Sequence, residues 1–392
     1  MPTLFFISNI VCEIFISLRK IEVIEQKVGI VTFHAADNFG SALQAYALED
    51  VLRNMGYRPE IVNVLYAKDM EQYKVFRKKI YKERPRAFLG DVLYFPWNIK
   101  RKRAFQRFRD RYLKISKKIY YACVDNPQEL NDCYDAFICG SDQIWNINCT
   151  QAFVPEFFLE FVSDNKKKIA YAPSMPAKVL DKYYKRMKND IERLDAVSVR
   201  ESETIPYLIN EVGIQKKILH TVDPTFLLDA ENYIDSFRLK NRNENYIFVY
   251  FLDDKENKQE LVSYAAKIAR ERHLKIKYVS QRRISAFIGQ KYCLGIGPEE
   301  FLDMVYNASY VITNSFHATV FSIHFQVPFC VFPRSGSQAR MLELLNRLNL
   351  EKNLYSLGNI DWMESVSNGK TKKTIKKMAV DSLNFLRNAL EQ

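Results

Sequence analysis

A chain of 392 residues exceeds what one ordinary hydrophobic core organises, so two domains are expected. Its composition, 47% hydrophobic and 27% charged, is typical of a globular protein. The formal net charge of +12 is concentrated in one segment, and the seven cysteines are scattered without a CxxC pair, which excludes a disulfide framework and a zinc site.

The first 26 residues form an N-terminal extension in this interpretation. The apolar run "LFFISNIVCEIFISL" is interrupted by Asn9 and Glu13, and its basic residues Arg19 and Lys20 follow it. In a secretory signal the basic residues precede the apolar run, and a membrane-spanning helix has a longer apolar run than this one. The pattern favours a spare helix or a misplaced start, with a helix lying on a membrane face as the alternative.

The first domain is predicted to begin with a β-α-β unit. The β-branched run "KVGIVTF" (27–33) is followed by the periodic helix "SALQAYALEDVLRNMGY" (41–57) and by the strand "RPEIVNV" (58–64). Such alternation predicts a parallel sheet.

A basic helical insertion is predicted at residues 68–120. Between Lys74 and Lys118 there are 17 Lys and Arg against three acidic residues, which leaves the rest of the chain nearly neutral. A solvated helical face is the default interpretation of such a run, and contact with anionic lipid headgroups is the second. Nucleic acid is not expected as a partner, since the module signatures are absent from the sequence.

Further strands predict a second Rossmann-like half. "YDAFICG", "KIAYAPS" and "AVSVRE" complete the first domain (27–220), and "NYIFVYFL", "LKIKYVS", "YVITNS" and "PFCVF" belong to the second (221–350), before a helical tail (351–392). The expected fold class is therefore α/β and GT-B-like, with two parallel sheets facing a central cleft. Ligands of such sheets bind at the carboxyl ends of the strands.

Two strand ends of the first domain carry candidate site residues. Asn38, Gly40 and Ser41 stand where a loop enters a helix, where free N–H groups suit a phosphate or carboxylate; an ordinary helix cap by Ser41 is the alternative. In "FICGSDQIWN", Asp142 is suited to orienting a sugar hydroxyl or to capping the next turn, and Trp145 to forming a cleft wall or packing in the core.

Two further strand ends supply charge and a titratable group. Arg200 follows an apolar strand and is suited to binding carboxylate or phosphate, with a surface salt bridge to Glu201 or Glu203 as the alternative. In "VITNSFHATVF", Asn314, Ser315 and His317 cluster at the start of a helix. A histidine in this position is a candidate for acid–base chemistry.

Together, "DNFGSALQAYALEDVLRNMGY", "YDAFICGSDQIWN", "SVRES" and "NASYVITNSFHATVFSIHFQVPFCVF" resemble the polysaccharide pyruvyl transferase family over roughly residues 27–350. The resemblance implies transfer of pyruvate from phosphoenolpyruvate to a sugar of a surface polysaccharide or its lipid-linked precursor, as a ketal. This chain has Ser315 and Ala318 where the family motif Arg-x-His-Gly has Arg and Gly. Arg200, Arg334 or Arg340 is therefore expected to supply the missing charge.

The resemblance also implies roles for the candidates. His317 is expected to act as general acid and Asp142 as hydroxyl-orienting group or base. The donor is expected to meet Arg200, Asn38, Gly40, Ser41, Asn314, Ser315 and Arg340, and the acceptor Ser141, Gln143 and Trp145.

No metal or cofactor is expected beyond phosphoenolpyruvate as co-substrate, and the protein is placed in the cytoplasm at the inner membrane face, with contact through residues 74–118. The alternatives are a GT-B glycosyltransferase using a nucleotide sugar and a non-catalytic scaffold of polysaccharide assembly.

Overall fold

The structure is a computed structural model. It describes residues 25–66, 73–76, 81, 86–125, 127–175, 181–242, 244–252, 258–280, 291–292, 294–333, 338–355 and 369–391. Nearly all of the predicted N-terminal extension, and Arg334, lie outside these residues. Among the helices in the described ranges, none is both long enough and apolar enough to cross a membrane.

Two parallel sheets dominate the molecule. The strands are β1 (Lys27–Val31), β2 (Arg58–Ile61), β3 (Val64–Leu65), β4 (Tyr120–Tyr121), β5 (Ala136–Cys139), β6 (Lys167–Ala170), β7 (Ala196–Val199), β8 (Ile218–His220), β9 (Tyr246–Phe251), β10 (Lys275–Ser280), β11 (Lys291–Tyr292), β12 (Tyr310–Thr313) and β13 (Phe329–Val331). The first sheet has the order β2-β1-β5-β6-β7-β8 and the second β11-β10-β9-β12-β13, while β3 and β4 pair separately. The predicted fold class, GT-B-like α/β, is confirmed.

Helices connect the strands and cover the sheets. They are α1 (Phe39–Asn54), α2 (Arg86–Leu93), α3 (Phe95–Tyr112), α4 (Ile147–Thr150), α5 (Tyr184–Glu192), α6 (Thr204–Tyr207), α7 (Ala230–Phe237), α8 (Lys258–Glu271), α9 (Pro298–Tyr306), α10 (Phe316–His324), α11 (Gln338–Leu348) and α12 (Gly369–Glu391). Short 3₁₀ turns and a π turn (Leu208–Val212) fill several connections.

The core continues from one sheet to the other. Strands β5, β9 and β12 are buried along their whole length, as expected for parallel strands covered on both faces. Helix α1 lies between the halves, where the Phe39 ring stacks on Phe301 at 4.6 Å and on Phe105 at 5.4 Å. One apolar cluster therefore joins both halves around α1.

Helices α3 and α12 each bridge the two halves. From α3, the Tyr112 hydroxyl donates to Glu299 Oε1 of α9 at 2.6 Å. From α12, the Ser382 hydroxyl accepts from the Val222 N–H at 3.0 Å, so this last helix returns to the end of the first sheet. Part of the predicted basic insertion is thus a structural bridge.

Candidate active site

Asp223 is the centre of a buried polar cluster just beyond β8. Its Oδ2 accepts from Arg200 Nη1 at 2.6 Å and lies 3.4 Å from Ser141 Oγ. Its Oδ1 accepts from the Thr225 hydroxyl at 2.7 Å. Burial alone would raise the pKa of Asp223, but His317, Arg200 and Thr225 outweigh it and hold the pKa well below its usual range. Asp223 is therefore a buried anion.

Arg200, directly after β7, is the cation that Asp223 binds. Its Nε donates to Glu201 Oε1 at 3.3 Å, and its guanidinium lies 4.8 Å from the centre of the Phe316 ring. Burial lowers the pKa of Arg200, but Glu201, Asp223 and Asp142 raise it to a net value above the usual range. The sequence alternative of a pair with Glu201 is present, although it is buried rather than on the surface.

His317 reaches this cluster from the second sheet, as the second residue of α10. Its Nε2 is buried and lies 3.6 Å from Asp223 Oδ2, and it makes no hydrogen bond to any residue that the structure describes. The other side of the ring lies against Gly40, where an added Cβ would be 2.0 Å from Nδ1. His317, which belongs to the second half, thus lies between two residues of the first half, Asp223 after β8 and Gly40 of α1.

The start of α1 closes one side of His317. Asn38, not Ser41, caps this helix, and its side chain accepts from the N–H groups of Gly40 (2.9 Å) and Ser41 (3.4 Å). These N–H groups are therefore satisfied within the chain, which does not fit the predicted role of Asn38, Gly40 and Ser41 as an open anion site. The Ser41 hydroxyl instead donates to Asp142 Oδ2 at 2.6 Å.

Asp142 stands on an unusual backbone. Its φ of 64° and ψ of −176° lie in a region that residues other than glycine rarely adopt, and the surrounding contacts must hold it there. Its Oδ1 accepts from the N–H of Gln143 at 2.8 Å, while Gln143 Oε1 accepts from Asn146 Nδ2 at 2.7 Å. Asp142 thus bonds to Ser41 and acts on Arg200 through its charge, and Gln143 is occupied in the turn beside it.

Two residues predicted to meet the acceptor are inside the protein. Trp145 is fully buried, its Nε1 donates to the Phe157 carbonyl at 3.0 Å, and its ring stacks on Phe158. Ser141 is also fully buried, and its hydroxyl is 2.7 Å from the carbonyl oxygen of Ala172. The predicted contact of Trp145 and Ser141 with a sugar does not fit these positions, since neither side chain reaches the cleft.

Two residues predicted to bind the donor stabilise the second half instead. Asn314 Oδ1 accepts from the Leu252 N–H at 2.9 Å. Ser315 caps α10 through its hydroxyl, which accepts from the Ala318 N–H at 3.4 Å. Both side chains are nearly fully buried. Local capping therefore explains Ser315, and its expected contact with the donor does not fit this position.

Arg340 brings a second cation from α11. Its Nη1 donates to Ser174 Oγ at 3.3 Å, and its Nε lies 4.0 Å from Glu201 Oε1. Glu201 also accepts from the Ser174 hydroxyl at 2.6 Å. Arg340 and Arg200 thus share one carboxylate from opposite halves of the molecule.

A cavity of about 30 Å³ opens beside this pair of arginines, between the two halves. Its charged lining consists of Arg200, Glu201, Asp223, Arg340, Glu343 and Arg347, together with His220. Burial, and then the neighbouring Arg347, lower the pKa of His220, which favours its neutral form at neutral pH. The fixed charges of the lining therefore balance.

Comparison with known proteins identifies the family to which this geometry belongs. The model of a family described as polysaccharide pyruvyl transferase matches residues 38–336, most of the chain. The chain belongs to the polysaccharide pyruvyl transferase family. This membership confirms the resemblance inferred from the sequence motifs.

Solved structures align with this family member over most of its length at low identity. A candidate UDP-N-acetylglucosamine 2-epimerase from Listeria monocytogenes is 11% identical, with 93% of this chain and 90% of that chain covered and a TM-score of 0.49. The UDP-GlcNAc 2-epimerase of Methanocaldococcus jannaschii is 10% identical (91% and 100% covered, TM-score 0.43). An alpha-glucosyltransferase is 11% identical (92% and 95% covered, TM-score 0.47). No curated protein matches the chain.

Asp223 and Ser174 of this pyruvyl transferase family member were not among the sequence candidates. Asp223 lies in "HTVDPTF", which the strand pattern marked only as a domain boundary. The signal that could have found it is the one used for Arg200, a charged residue just past a strand of a parallel sheet. Ser174 follows "KIAYAP" in the same way.

Proposed function

We propose that this family member transfers the enolpyruvyl unit of phosphoenolpyruvate to a sugar and closes it as a pyruvate ketal. The observation that carries the proposal is His317 Nε2, which is buried 3.6 Å from Asp223 Oδ2 without a hydrogen bond to a described residue. A protonated nitrogen there would be balanced by Asp223 and would have a proton that no described residue accepts through a hydrogen bond. Family membership supports a transferase acting on polysaccharide.

The proposed chemistry begins with a proton. His317 Nε2 donates a proton to C3 of the donor, so that a C–H bond forms and C2 becomes electrophilic. A sugar hydroxyl oxygen bonds to C2. The C2–O bond to phosphate then breaks and phosphate keeps the electron pair. A second hydroxyl of the same sugar bonds to C2 and closes the ketal. Of the two hydroxyl protons, one restores His317 and the other leaves with phosphate.

The neighbouring residues divide the remaining roles in this proposal. Asp223 is a positioning residue, since it faces the imidazole and binds Arg200 at 2.6 Å. Arg200 and Arg340 line the cavity, and in this proposal their guanidinium groups bind the carboxylate and the phosphate of the donor. Asp142, on its constrained backbone, orients the attacking hydroxyl once Ser41 releases it, or takes its proton and passes it to the departing phosphate.

The acceptor is proposed to be a sugar of an exopolysaccharide or capsule, or of its lipid-linked precursor, at the cytoplasmic face of the membrane. The transferase family supports the glycan part of this statement. The proposed chemistry uses no cofactor besides phosphoenolpyruvate as co-substrate.

Calorimetric titration with phosphoenolpyruvate tests the donor, with a nucleotide sugar as the rival ligand. The expected result is saturable binding of phosphoenolpyruvate that Arg200→Lys weakens at least tenfold, because a bidentate guanidinium is replaced by a point charge. Binding of the nucleotide sugar without binding of phosphoenolpyruvate would favour a glycosyltransferase instead.

Transfer itself is measured with phosphoenolpyruvate labelled in its carbon atoms. The protein is incubated with a glycolipid extract of the source organism, and the label incorporated into glycolipid is counted. His317→Ala should abolish incorporation while His273→Ala, which changes an exposed histidine far along the chain, leaves it intact. A His317→Ala protein that keeps near-normal turnover would remove His317 from the mechanism. Wild-type protein that binds neither donor nor nucleotide sugar, with and without the extract, would favour a scaffold.

A further inference from the structure

Exposed apolar side chains concentrate in one segment of the chain. Of the 13 large hydrophobic side chains that are exposed among the described residues, seven lie between residues 76 and 97. They are Phe76, Phe88, Leu89, Val92, Leu93, Phe95 and Trp97. Single exposed apolar residues are normal on a protein surface, but a cluster of this kind marks an interaction site.

Helix α2 presents these side chains as a ridge. Leu89 and Leu93 are 69% and 67% exposed and lie one helical turn apart, so they share a face. Phe88 and Val92, also exposed, form the adjacent row. We call these four residues the apolar ridge.

A basic rim follows the apolar ridge along α3. Lys100, Lys102, Arg103 and Arg107 are exposed, and none of them forms an ion pair with a described residue. The opposite face of α3 is buried through Phe105 and Phe108. The exposed charge therefore lies away from the buried face of α3, on the helix that follows the apolar ridge in the chain.

We propose that the apolar ridge and the basic rim dock the protein on an anionic bilayer surface. This proposal rests on the proposed function, because a lipid-linked acceptor would lie at such a surface. Apolar side chains enter the boundary between headgroups and acyl chains, and Lys and Arg bind the anionic headgroups beside them. A second copy of the chain would bring the same positive rim against itself, so charge complementarity favours lipid.

The docked face is connected to the candidate active site through α3. Arg101 donates to the Asp37 carbonyl, and Arg109 donates to Asp37 Oδ1 at 3.1 Å and to the Ala35 carbonyl at 3.4 Å. The loop they hold leads directly to Gly40 beside His317. In this proposal, docking through α2 and α3 holds the loop before Gly40 near the bilayer, where a lipid-linked glycan lies. Arg101 serves this loop rather than the lipid.

Co-sedimentation of the full chain with vesicles tests the proposal. Phosphatidylcholine vesicles are compared with vesicles containing about 30% phosphatidylglycerol, at low and high salt. The ridge variant is Leu89→Gln/Leu93→Gln and the rim variant is Lys102→Gln/Arg103→Gln. Matched controls are Val380→Gln and Lys376→Gln/Lys377→Gln, exposed positions of α12.

The wild type should bind the anionic vesicles and lose most of this binding at high salt. Ridge and rim variants should each bind about 10- to 30-fold more weakly, and the controls within about twofold of wild type. Equal binding to neutral vesicles, no binding, or equal losses in the controls would overturn the proposal. A dimer that the ridge variant dissolves, without vesicle binding, would assign the ridge to self-association.

Failure of this proposal is distinguishable from failure of the proposed function. Vesicle binding requires neither donor nor glycan, and titration with phosphoenolpyruvate requires no vesicle. The ridge and rim variants should retain the wild-type affinity for phosphoenolpyruvate.

Discussion

Replacing Gly40 by alanine should displace the His317 side chain while leaving the histidine itself in place in the sequence. Gly40 is the second residue of α1, and its φ does not lie in the left-handed region, so the backbone accepts an alanine there. Its Cβ, however, would lie 2.0 Å from Nδ1, 2.5 Å from Cε1 and 2.6 Å from Cγ of the His317 ring. The imidazole must therefore move.

The magnitude follows from the overlap. Non-bonded carbon and nitrogen atoms need about 3.5 Å, so the ring must retreat by more than about 1 Å. A displacement of about 1 Å in a catalytic group costs about 100-fold in rate, or about 2.7 kcal/mol of barrier. Alanine is meanwhile the better helix former by up to about 1 kcal/mol, which offsets part of the packing strain. We expect a large loss of transfer with a small change in stability.

Two measurements on the purified variant check this expectation. Incorporation of label from phosphoenolpyruvate into glycolipid should fall about 100-fold, while the thermal midpoint stays within a few degrees of wild type. Gly369→Ala is the matched control, because a Cβ at that helix start meets no atom within 4 Å. Wild-type transfer by Gly40→Ala would refute the placement of a working His317 against Gly40. A loss of transfer that tracks a collapse in stability would refute the catalytic explanation.

Four further substitutions separate packing from chemistry. Asp223→Asn should lower the free energy of unfolding by about 3–5 kcal/mol in denaturant titration, because it leaves Arg200 buried without this partner. Trp145→Ala should cost about 3–5 kcal/mol, and Ser315→Ala about 1 kcal/mol, with phosphoenolpyruvate affinity unchanged by calorimetry in both. Burial raises the pKa of Glu49 to about 7, so the contribution of Glu49 to stability should fall as pH rises from about 4.5 to 7, and Glu49→Gln should gain up to about 3 kcal/mol relative to wild type over that range. Parallel stability profiles of the two proteins would contradict this.

The fold was predictable because its signals are local. The buried run at β1, the periodic α1 and the strand after it are set by hydrophobic spacing within about 30 residues, and a β-α-β unit has one usual handedness. The rule that parallel strands gather ligands at their carboxyl ends brought Arg200, Asp142 and His317 into one candidate set. The structure places Arg200 and His317 against Asp223, and Asp142 close enough to Arg200 to raise its pKa.

The partners of those residues were not predictable, because each contact crosses a long stretch of chain. Asp223 and His317 are nearly a hundred residues apart, and Ser174 meets Arg340 across the two halves. Burial also decided between the alternatives for Trp145. An aromatic ring that follows a strand can line a cleft or pack in the core. The stacking of Trp145 on Phe158 inside the protein, which the sequence does not reveal, shows that it packs in the core.

Charge balance in the cleft bears on how the proposed donor binds. Phosphoenolpyruvate carries a carboxylate and a phosphate, whereas the cavity of about 30 Å³ has room for water-sized molecules and its arginines already face carboxylates. Arg200 is held at 2.6 Å by Asp223, which also faces His317. A donor that takes Arg200 from Asp223 would leave that carboxylate to Thr225, Ser141 and the imidazole of His317. Binding of the proposed donor at Arg200 therefore has to open the ion pair between Arg200 and Asp223.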